Sequence, residues 1–306
     1  MIPIITIEGP TASGKSNLAL ALALEMDTEI ISADSRQVYR LMDIGTSKPT
    51  PDELAQVKHH LIDILDITQV YTAGEFRKQA TEISHYLWEK RKIPIIVGGT
   101  GLYVRSLLHG LFQIPDIPET IKSEIRSLYD THGMEYIHHY LQQVDPEAAG
   151  KISSNDPQRT LRALEVWKFT GIPITEHWKN QLKISDFKPF RIYIKTERPE
   201  LYDRIEKRLD TMMAKGFLQE IEYLLDTGYK WTDPGMNSVG YKEFKPYFEQ
   251  HDSLDNCLDK AKQHTRNYAK RQFTWYNKCE FDLASSLENI NIYAVKKSIG
   301  HFISNM

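Results

Sequence analysis

The chain has 306 residues, of which 41% are hydrophobic and 26% are charged. This is ordinary for a folded protein of about two domains and excludes global disorder. The formal net charge of −3 excludes a broadly basic nucleic-acid binder, although a sum of charges does not exclude a local basic groove.

Cysteine content and the N-terminal residues restrict the compartment. Two cysteines are too few for a disulfide framework or a four-thiolate zinc site, and they favour a reducing compartment. The first residues lack the basic stretch and the cleavage site of a signal peptide. The longest apolar run covers residues 18–24 and is too short to span a membrane. We therefore expect a cytoplasmic protein with no membrane partner.

The first hundred residues alternate between apolar runs and helical patterns. Short β-branched runs predict buried strands at residues 4–7, 29–33, 61–65 and 93–97. Alanine and leucine content predicts a helix over 17–26, and an apolar stripe predicts another over 76–92. Strands that alternate with helices predict an α/β fold with a parallel sheet flanked by helices.

The pattern changes at the proline-punctuated link Pro115–Pro118. Residues 119–187 are mostly helical in pattern, and the alternating segment 190–194 predicts a return to the sheet. We therefore predict a core domain of residues 1–118 and 188–306 and a helical insertion domain of residues 119–187. In the second part of the core we predict a helix over 199–227 with a break at Gly216, and another over 255–277; the last twenty residues are unassigned.

A phosphate-binding motif follows the first predicted strand. Residues 9–16 fit the pattern G-x-x-x-x-G-K-[ST] of a P-loop, and a predicted helix comes next. Its backbone N–H groups, the helix start and the lysine together attract a phosphate chain, and the hydroxyl of Ser16 is suited to Mg²⁺. The alternative, a glycine-rich turn with an exposed lysine, is disfavoured by the strand before and the helix after. The predicted diphosphate-binding residues are Gly9, Pro10, Thr11, Ala12, Ser13, Gly14, Lys15 and Ser16.

Two neighbouring strand ends predict the rest of the site. Asp34 follows the second strand, and ligands bind beyond the carboxyl ends of parallel strands, so this carboxylate is a candidate Mg²⁺ ligand or proton acceptor. The alternative is an aspartate that only forms a turn. The strand at 93–97 ends in Gly98-Gly99-Thr100-Gly101, where a nucleotide hydrolase would carry a second acid. That difference favours a transferase.

Eight segments in this order resemble the tRNA dimethylallyltransferases, also called tRNA isopentenyltransferases. The resemblance runs through nearly the whole chain. The segments are Gly9–Ser16, Asp34–Tyr39, Met42–Pro49, His59–Asp63, Gly98–Tyr103, Asp156–Glu165, Val239–Glu243 and Thr265–Trp275. Ser16 stands where many members have threonine, which keeps the hydroxyl. No Cys/His zinc module follows the core, which is typical of the bacterial form.

The resemblance implies a reaction and roles for several residues. A dimethylallyl group would pass from dimethylallyl diphosphate to the exocyclic amine of the adenine on the 3′ side of the tRNA anticodon, with Mg²⁺ as the cofactor. It makes the P-loop core with a helical insertion the expected fold. Lys15 would stabilise the departing pyrophosphate, Asp34 would accept the proton of the amine, and Thr100 would line the channel between donor and acceptor. The adenine would have to be flipped out of its stack.

The resemblance also implies the contacts to the tRNA anticodon stem-loop. Gln37 has an amide suited to an adenine edge, and Arg159 and Arg162 lie on one face of a helix. For an isolated arginine pair, a solvated face is the alternative. The full predicted set is Asp34, Ser35, Arg36, Gln37, Thr100, Ser123, Gln158, Arg159, Thr160, Leu161 and Arg162.

Three further groups carry weaker predictions. Arg204 and Arg208 resemble, by analogy only, the phosphate-facing lid pair of P-loop kinases, and we assign them to the diphosphate. The five basic residues between 260 and 271 suggest a phosphate-tracking surface, with the interleaved Tyr268, Phe273 and Trp275 in the core. His59 and His60 lack metal-ligand spacing and are expected to be structural.

Three functions are therefore compared. The first is a monomeric tRNA prenyltransferase. The second is a prenyltransferase or kinase that acts on a free nucleotide or another small molecule. The third is a non-catalytic, nucleotide-switched RNA-binding protein. The helical insertion favours the first over the second, because a free nucleotide needs no such surface, and the missing second acidic strand end disfavours the third.

Overall fold

Six parallel strands form one sheet in the computed structural model, which describes residues 1–111, 116–180 and 185–306. The strands are β1 (Ile2–Glu8), β2 (Ile30–Ser32), β3 (His59–His60), β4 (Ile95–Gly98), β5 (Phe187–Lys195) and β6 (Leu283–Ser286). Their order in the sheet is β3-β2-β4-β1-β5-β6. β1 is therefore an interior strand between β4 and β5, which explains why it is an almost uninterrupted apolar run.

Helices connect the strands. Those of the described residues are α1 (Lys15–Glu25), α2 (Pro51–Gln56), α3 (Ala73–Glu89), α4 (Gly101–His109), α5 (Glu119–Val144), α6 (Pro146–Lys151), α7 (Pro157–Thr170), α8 (Ile174–Lys179), α9 (Arg198–Ala214), α10 (Phe217–Asp226), α11 (Lys245–Phe248), α12 (Leu254–Tyr276) and α13 (Ile292–Ser304). None of the helices in these described ranges is both long and apolar enough to cross a bilayer.

Both faces of the sheet are covered. Ile4 of β1 packs in one cluster with residues of α3, α4, α9 and α12, whereas its neighbour Ile5 packs in another with residues of α1 and α13. Successive side chains of a strand point to opposite faces, so the two clusters are the two halves of one layered core. The predicted α/β class with a parallel sheet is confirmed.

The strand register places three loops together at one end of the sheet. Glu8 of β1 pairs with Gly98 of β4, and Val97 pairs with Ser32 of β2. The chain segments that follow these strands are the P-loop, the Asp34 turn and the Gly98–Gly101 turn. The fold therefore supports the expectation that these segments share one crevice.

The chain forms two compact units, the second of which is inserted in the sequence of the first. One contains Met1–Leu108 with Ser185–Met306, and the other contains His109–Ile184. The second unit has its own core, in which Ile125 and Leu141 of α5 pack with Leu164 of α7. The predicted link at Pro115–Pro118 is described only from Asp116 onward, and residues 181–184 of the predicted helical stretch lie outside the described residues.

Several element predictions are confirmed and one is wrong. The break at Gly216 separates α9 from α10, and this glycine has the positive φ of 96° that such a break requires. The strand predicted at 61–65 is absent, and β3 consists of His59 and His60 instead. Leu61 and Asp63 have left-handed backbone, with φ of 64° and 57°, which is incompatible with a continuing strand. The unassigned C-terminus forms β6 and α13.

Candidate active site

The P-loop connects β1 to α1 in the way the motif predicts. Gly14 has a φ of 86° and is the N-cap of α1, so the helix begins at Lys15. Lys15 Nζ donates a hydrogen bond to the carbonyl of Pro10 at 3.2 Å. At the start of the loop, a Cβ on Gly9 would lie 2.9 Å from Ser13 Oγ. The loop is therefore tightly folded at its start, and it holds its lysine through the Pro10 carbonyl.

A cavity of about 630 Å³ lies beside this loop, within the unit that carries the sheet. Its lining includes Thr11, Ala12, Gly14, Lys15, Ser16, Asp34, Ser35, Arg36, Gln37, Arg204 and Arg208. Segments 45–49 and 238–241 complete part of the wall. Residues that the sequence assigned to the diphosphate and residues that it assigned to the acceptor therefore meet in one space.

Asp34 is held in a defined orientation. Its Oδ1 accepts hydrogen bonds from the backbone N–H groups of Arg36 at 2.8 Å and Gln37 at 3.4 Å. This is the turn geometry expected of an aspartate that follows a strand, so the turn-forming interpretation is correct as far as it goes. The same side chain also lines the cavity, so the turn fixes the carboxylate within the site.

Two cations in the wall are held at an electrostatic cost. Burial lowers the pKa of Lys15 to about 8, and this effect is partly opposed by the negative charge of Asp34. Burial likewise lowers the pKa of Arg208, again against the attraction of Asp34. Among the described residues no acceptor bonds Arg208 Nε, although the atom is buried. Buried cations with unused donors are suited to a polyanionic ligand.

Arg204 is placed differently from Arg208. It lines the cavity but is bonded to Glu200, one turn earlier on α9, and lies 3.8 Å from Glu288. A contact from Arg204 to a ligand would require the exchange of these partners.

Thr100 was predicted to line the channel but is not among the residues that line the cavity; it lies behind Ser35, which is. Its Oγ1 accepts a hydrogen bond from the N–H of Ser35 at 3.2 Å. Tyr268 of α12 bonds Thr100, lines the cavity and has its pKa raised to about 12 by burial and by the nearby Asp34. The expectation that Tyr268 belongs to the core is therefore wrong, whereas Phe273 is buried as predicted.

The amide of Gln37 is engaged by the protein itself. Nε2 donates to the carbonyl of Ser47 at 3.0 Å, and Oε1 accepts from Ser32 Oγ at 3.0 Å. These bonds fix which end of the amide faces which side of the cavity. Whether it contacts an adenine edge stays a prediction.

Glu220 of α10 holds the backbone of residues 43–45 at the cavity wall, a role that was not identified from the sequence. Its carboxylate accepts hydrogen bonds from three consecutive backbone N–H groups, those of Asp43, Ile44 and Gly45, at 2.8, 2.7 and 3.1 Å. Tyr241 Oη donates to the same carboxylate at 2.7 Å. The only sequence signal was the segment Met42–Pro49, which by itself indicates no partner 175 residues away.

Part of the basic surface predicted at residues 260–271 is paired with acids of the protein. Lys260 pairs with Asp252 at 2.7 Å, Lys262 with Asp210 at 2.6 Å, and Arg266 with Glu206 at 2.6 Å. Two acids of α9 and Asp252, which precedes α12, therefore pair with three of the five basic residues. Whether this segment tracks phosphates stays a prediction.

His59 and His60 have partners in the protein, as expected for structural residues. His60 Nε2 lies 2.7 Å from Glu29 Oε2, and His59 Nδ1 lies 2.8 Å from the carbonyl of Val57. Within the described ranges, no group of three or more His, Cys, Asp or Glu side chains is arranged to hold a metal ion.

The predicted tRNA-contacting helix, α7, lies in the second unit. Asp156 caps it by accepting the N–H of Arg159 at 3.0 Å. The side chains of Gln158, Arg159 and Arg162 are exposed, as is Ser123 on α5. Thr160 and Leu161 are buried in the core of that unit, so their side chains do not share the exposed face with the arginines.

Gln272 joins two loops of the site and also had no predicted role. Its Oε1 accepts the N–H of Thr11 at 2.9 Å, and its Nε2 donates to the carbonyl of Gly99 at 2.8 Å. One side chain of α12 therefore bonds both the P-loop and the turn after β4.

A parallel sheet with a P-loop after an interior strand, and with buried cations around a cavity at its carboxyl end, defines a phosphate-binding α/β protein. Comparison with known proteins narrows this class. The model of the family "IPP transferase" matches residues 37–279. The chain belongs to the IPP transferase family.

Curated relatives and solved structures agree with this assignment. A tRNA dimethylallyltransferase of Thermoanaerobacter sp. is 42% identical over 92% of this chain and 90% of its own length. One from Geobacter sulfurreducens is 42% identical over 90% and 89%. A tRNA delta(2)-isopentenylpyrophosphate transferase of Staphylococcus epidermidis superposes with a TM-score of 0.72 at 36% identity, covering 100% of both chains. A eukaryotic dimethylallyltransferase acting on tRNA superposes with a TM-score of 0.84 at 28% identity, covering 100% of this chain and 80% of that one.

Proposed function

We propose that this protein is a tRNA dimethylallyltransferase that converts the adenosine on the 3′ side of the anticodon to isopentenyladenosine. The donor is dimethylallyl diphosphate. The observation that carries the proposal is that Lys15, Arg208 and Asp34 line one cavity. Two of these groups suit a departing diphosphate, and the third suits the proton of an attacking amine. Similarity to enzymes of this name over about nine-tenths of the chain supports the proposal.

The reaction breaks one bond and forms another. The bond between C1 of the dimethylallyl group and the diphosphate oxygen breaks, and a bond from the adenine N6 to C1 forms. The amine is a weak nucleophile, so most of the work lies in stabilising the charge that develops on the leaving pyrophosphate. The P-loop N–H groups, the N-terminus of α1 and Lys15 supply this stabilisation, and the unpaired Arg208 Nε adds a further donor.

Mg²⁺ fits this site as a partner of the diphosphate. It prefers oxygen ligands and is usually held by one or two protein oxygens together with substrate phosphates. Ser16 lines the cavity, and its hydroxyl would supply one such protein oxygen. When bound, Mg²⁺ would neutralise part of the diphosphate charge.

Asp34 takes the N6 proton once the new bond begins to form. Two backbone N–H groups hold its Oδ1, so the carboxylate is oriented before substrate binds. An adenine stacked in the anticodon loop cannot enter a crevice at the end of a sheet, so the base has to be flipped into it. Thr100, bonded to the lining residue Ser35, supports the wall on the acceptor side.

The exposed side chains of α7 supply the contact to the RNA. Gln158, Arg159 and Arg162 are free of the core, and the ion pairs of the two arginines, to Asp156 and Glu165, are both 3.4 Å long. Exposed pairs of this kind are weak and can be exchanged for phosphates or splayed bases. We also propose that the protein acts as a monomer.

A transfer assay tests the function. The protein is incubated with dimethylallyl diphosphate carrying a radioactive prenyl group, Mg²⁺ and an unmodified tRNA with adenosine 3′ to its anticodon. We expect label to enter that tRNA and to be recovered as isopentenyladenosine after digestion. A matched tRNA with guanosine at this position is the control and should stay unlabelled. Label that enters only free AMP, or ATP turnover without transfer, would refute the proposal.

A further inference from the structure

One buried amide connects the two loops that hold the reacting groups. Gln272 lies near the C-terminal end of α12 and is 6% exposed. Its two hydrogen bonds reach Thr11 of the P-loop and Gly99 of the turn after β4, which are 261 and 173 residues away in the chain. Both partners are backbone groups, so the bonds act on the position of the loops themselves.

The chemistry of these two bonds requires a carboxamide. Oε1 must accept from an N–H while Nε2 donates to a carbonyl. A glutamate that is ionised would place a second acceptor against the Gly99 carbonyl, and an apolar side chain would leave both backbone groups unpaired. A Cβ on Gly99 would lie 2.5 Å from Nε2, so the turn is shaped to receive this particular side chain.

The same end of α12 contacts the neighbouring residues of the turn. Tyr276 Oη donates to the carbonyl of Gly98 at 3.4 Å, and a Cβ on Gly101 would lie 2.1 Å from Trp275 Nε1. Residues at i, i+3 and i+4 share one helix face, so this face fits against successive residues of the glycine turn. Thr100 lies within that turn.

We infer that Gln272 is a positioning residue that sets the spacing between the diphosphate cradle and the acceptor side of the cavity. Thr11 belongs to the loop that holds the leaving group, and Gly99 is next to Thr100, which orients the Asp34 turn through Ser35. Without the amide bridge the two loops would relax independently. A displacement of about 1 Å at the reacting atoms costs on the order of 10²-fold in rate. This inference rests on the proposed function.

Two variants separate positioning from folding. Gln272→Met keeps the approximate size of the side chain and removes both bonds. We expect kcat for prenyl transfer to fall roughly 10- to 100-fold, with the tRNA Kd unchanged. Gln272→Glu should behave as a pH switch, because a protonated carboxyl group both accepts from Thr11 and donates to Gly99, whereas the ionised form repels the Gly99 carbonyl. Burial at this position and the facing Gly99 carbonyl should raise the pKa of the new carboxyl group above its usual value of about 4.3. The rate relative to wild type should therefore be highest near pH 6 and fall towards pH 8.

A matched glutamine and a folding measurement serve as controls. Gln219→Glu, an exposed glutamine on α10, should match wild type at each pH, and circular dichroism should report the folded fraction of each variant. A wild-type protein that transfers nothing would refute the proposed function instead. If the wild type is active, two results for a folded Gln272→Met would overturn the positioning role. One is a normal kcat, and the other is a loss of activity that comes only from weaker tRNA binding. A flat pH ratio for Gln272→Glu, or unfolding of both variants at pH 6 and pH 8, would equally overturn it.

Discussion

Replacing Lys15 with methionine should make the ligand-free protein more stable while it weakens binding of the diphosphate donor. The ammonium group is held in a buried position where its pKa falls to about 8 from 10.5. A group whose pKa is lower in the folded state than in the unfolded state destabilises the fold while it is charged in both states. Methionine fills similar space without a charge.

The size of the effect follows from the pKa difference. Each unit is worth about 1.4 kcal/mol, so the shift of Lys15 corresponds to about 3 kcal/mol of destabilisation at pH 7. This cost disappears gradually as the pH rises from 8 to 10.5, because the folded protein then releases the proton first. At pH 9 the wild type should have recovered about 1 kcal/mol relative to Lys15→Met.

Urea denaturation at pH 7, 8 and 9 measures this difference. The advantage of Lys15→Met in free energy of unfolding should be largest at pH 7 and shrink by about 1 kcal/mol at pH 9. The exposed Lys278 supplies the control, since Lys278→Met should show no such pH-dependent difference. Equal stabilisation of Lys15→Met at all three pH values would contradict the reasoning.

Donor binding supplies a second readout of the same group. A bound diphosphate favours the charged form of Lys15. At pH 8 the wild type should therefore take up about half a proton when it binds the donor, and Lys15→Met should take up less. Titration calorimetry in two buffers with different ionisation enthalpies measures the proton count. Identical counts for the two proteins would show that Lys15 does not titrate near pH 8.

Three further predictions concern the roles of single residues. Asp34→Ala should lower the chemical step by about 10²- to 10⁴-fold in single-turnover transfer, and a loss mainly in tRNA affinity would refute its role as the proton acceptor. Arg159→Ala should weaken tRNA binding in a filter assay and leave diphosphate binding intact. The control Lys168→Ala, on the opposite side of α7, should change neither. Equal loss of binding of both ligands by Arg159→Ala would indicate misfolding. Gly98→Ala should destabilise the fold by several kcal/mol in thermal unfolding, because its Cβ would lie 2.1 Å from the carbonyl oxygen of Ala33. A normal Tm would show that the interior strands β4 and β2 separate easily at this end of the sheet.

Local signals in the sequence were sufficient for the phosphate-binding half of the site. The P-loop needs a strand, a glycine-rich turn and a helix start in immediate succession, and all three lie within residues 2–25. Asp34 could be predicted for the same reason, because a short apolar run and a strand-ending aspartate are adjacent in the chain. The predicted strand at 61–65 failed because an apolar run does not reveal the left-handed backbone of Leu61 and Asp63.

Sequence alone determined the fold class, the P-loop and the carboxylate that follows β2, since each depends on neighbours a few residues apart. Only the tertiary structure decided which charges remain available. Lys260, Lys262 and Arg266 form a basic stripe in the sequence, but acids on other segments pair with them, while Arg208 keeps a buried, unpaired donor beside the cavity. It also decided that Gln272 bridges two loops more than 170 residues away. Charge pairing and hydrogen bonding act over a few ångströms of space, and a linear pattern does not contain those distances.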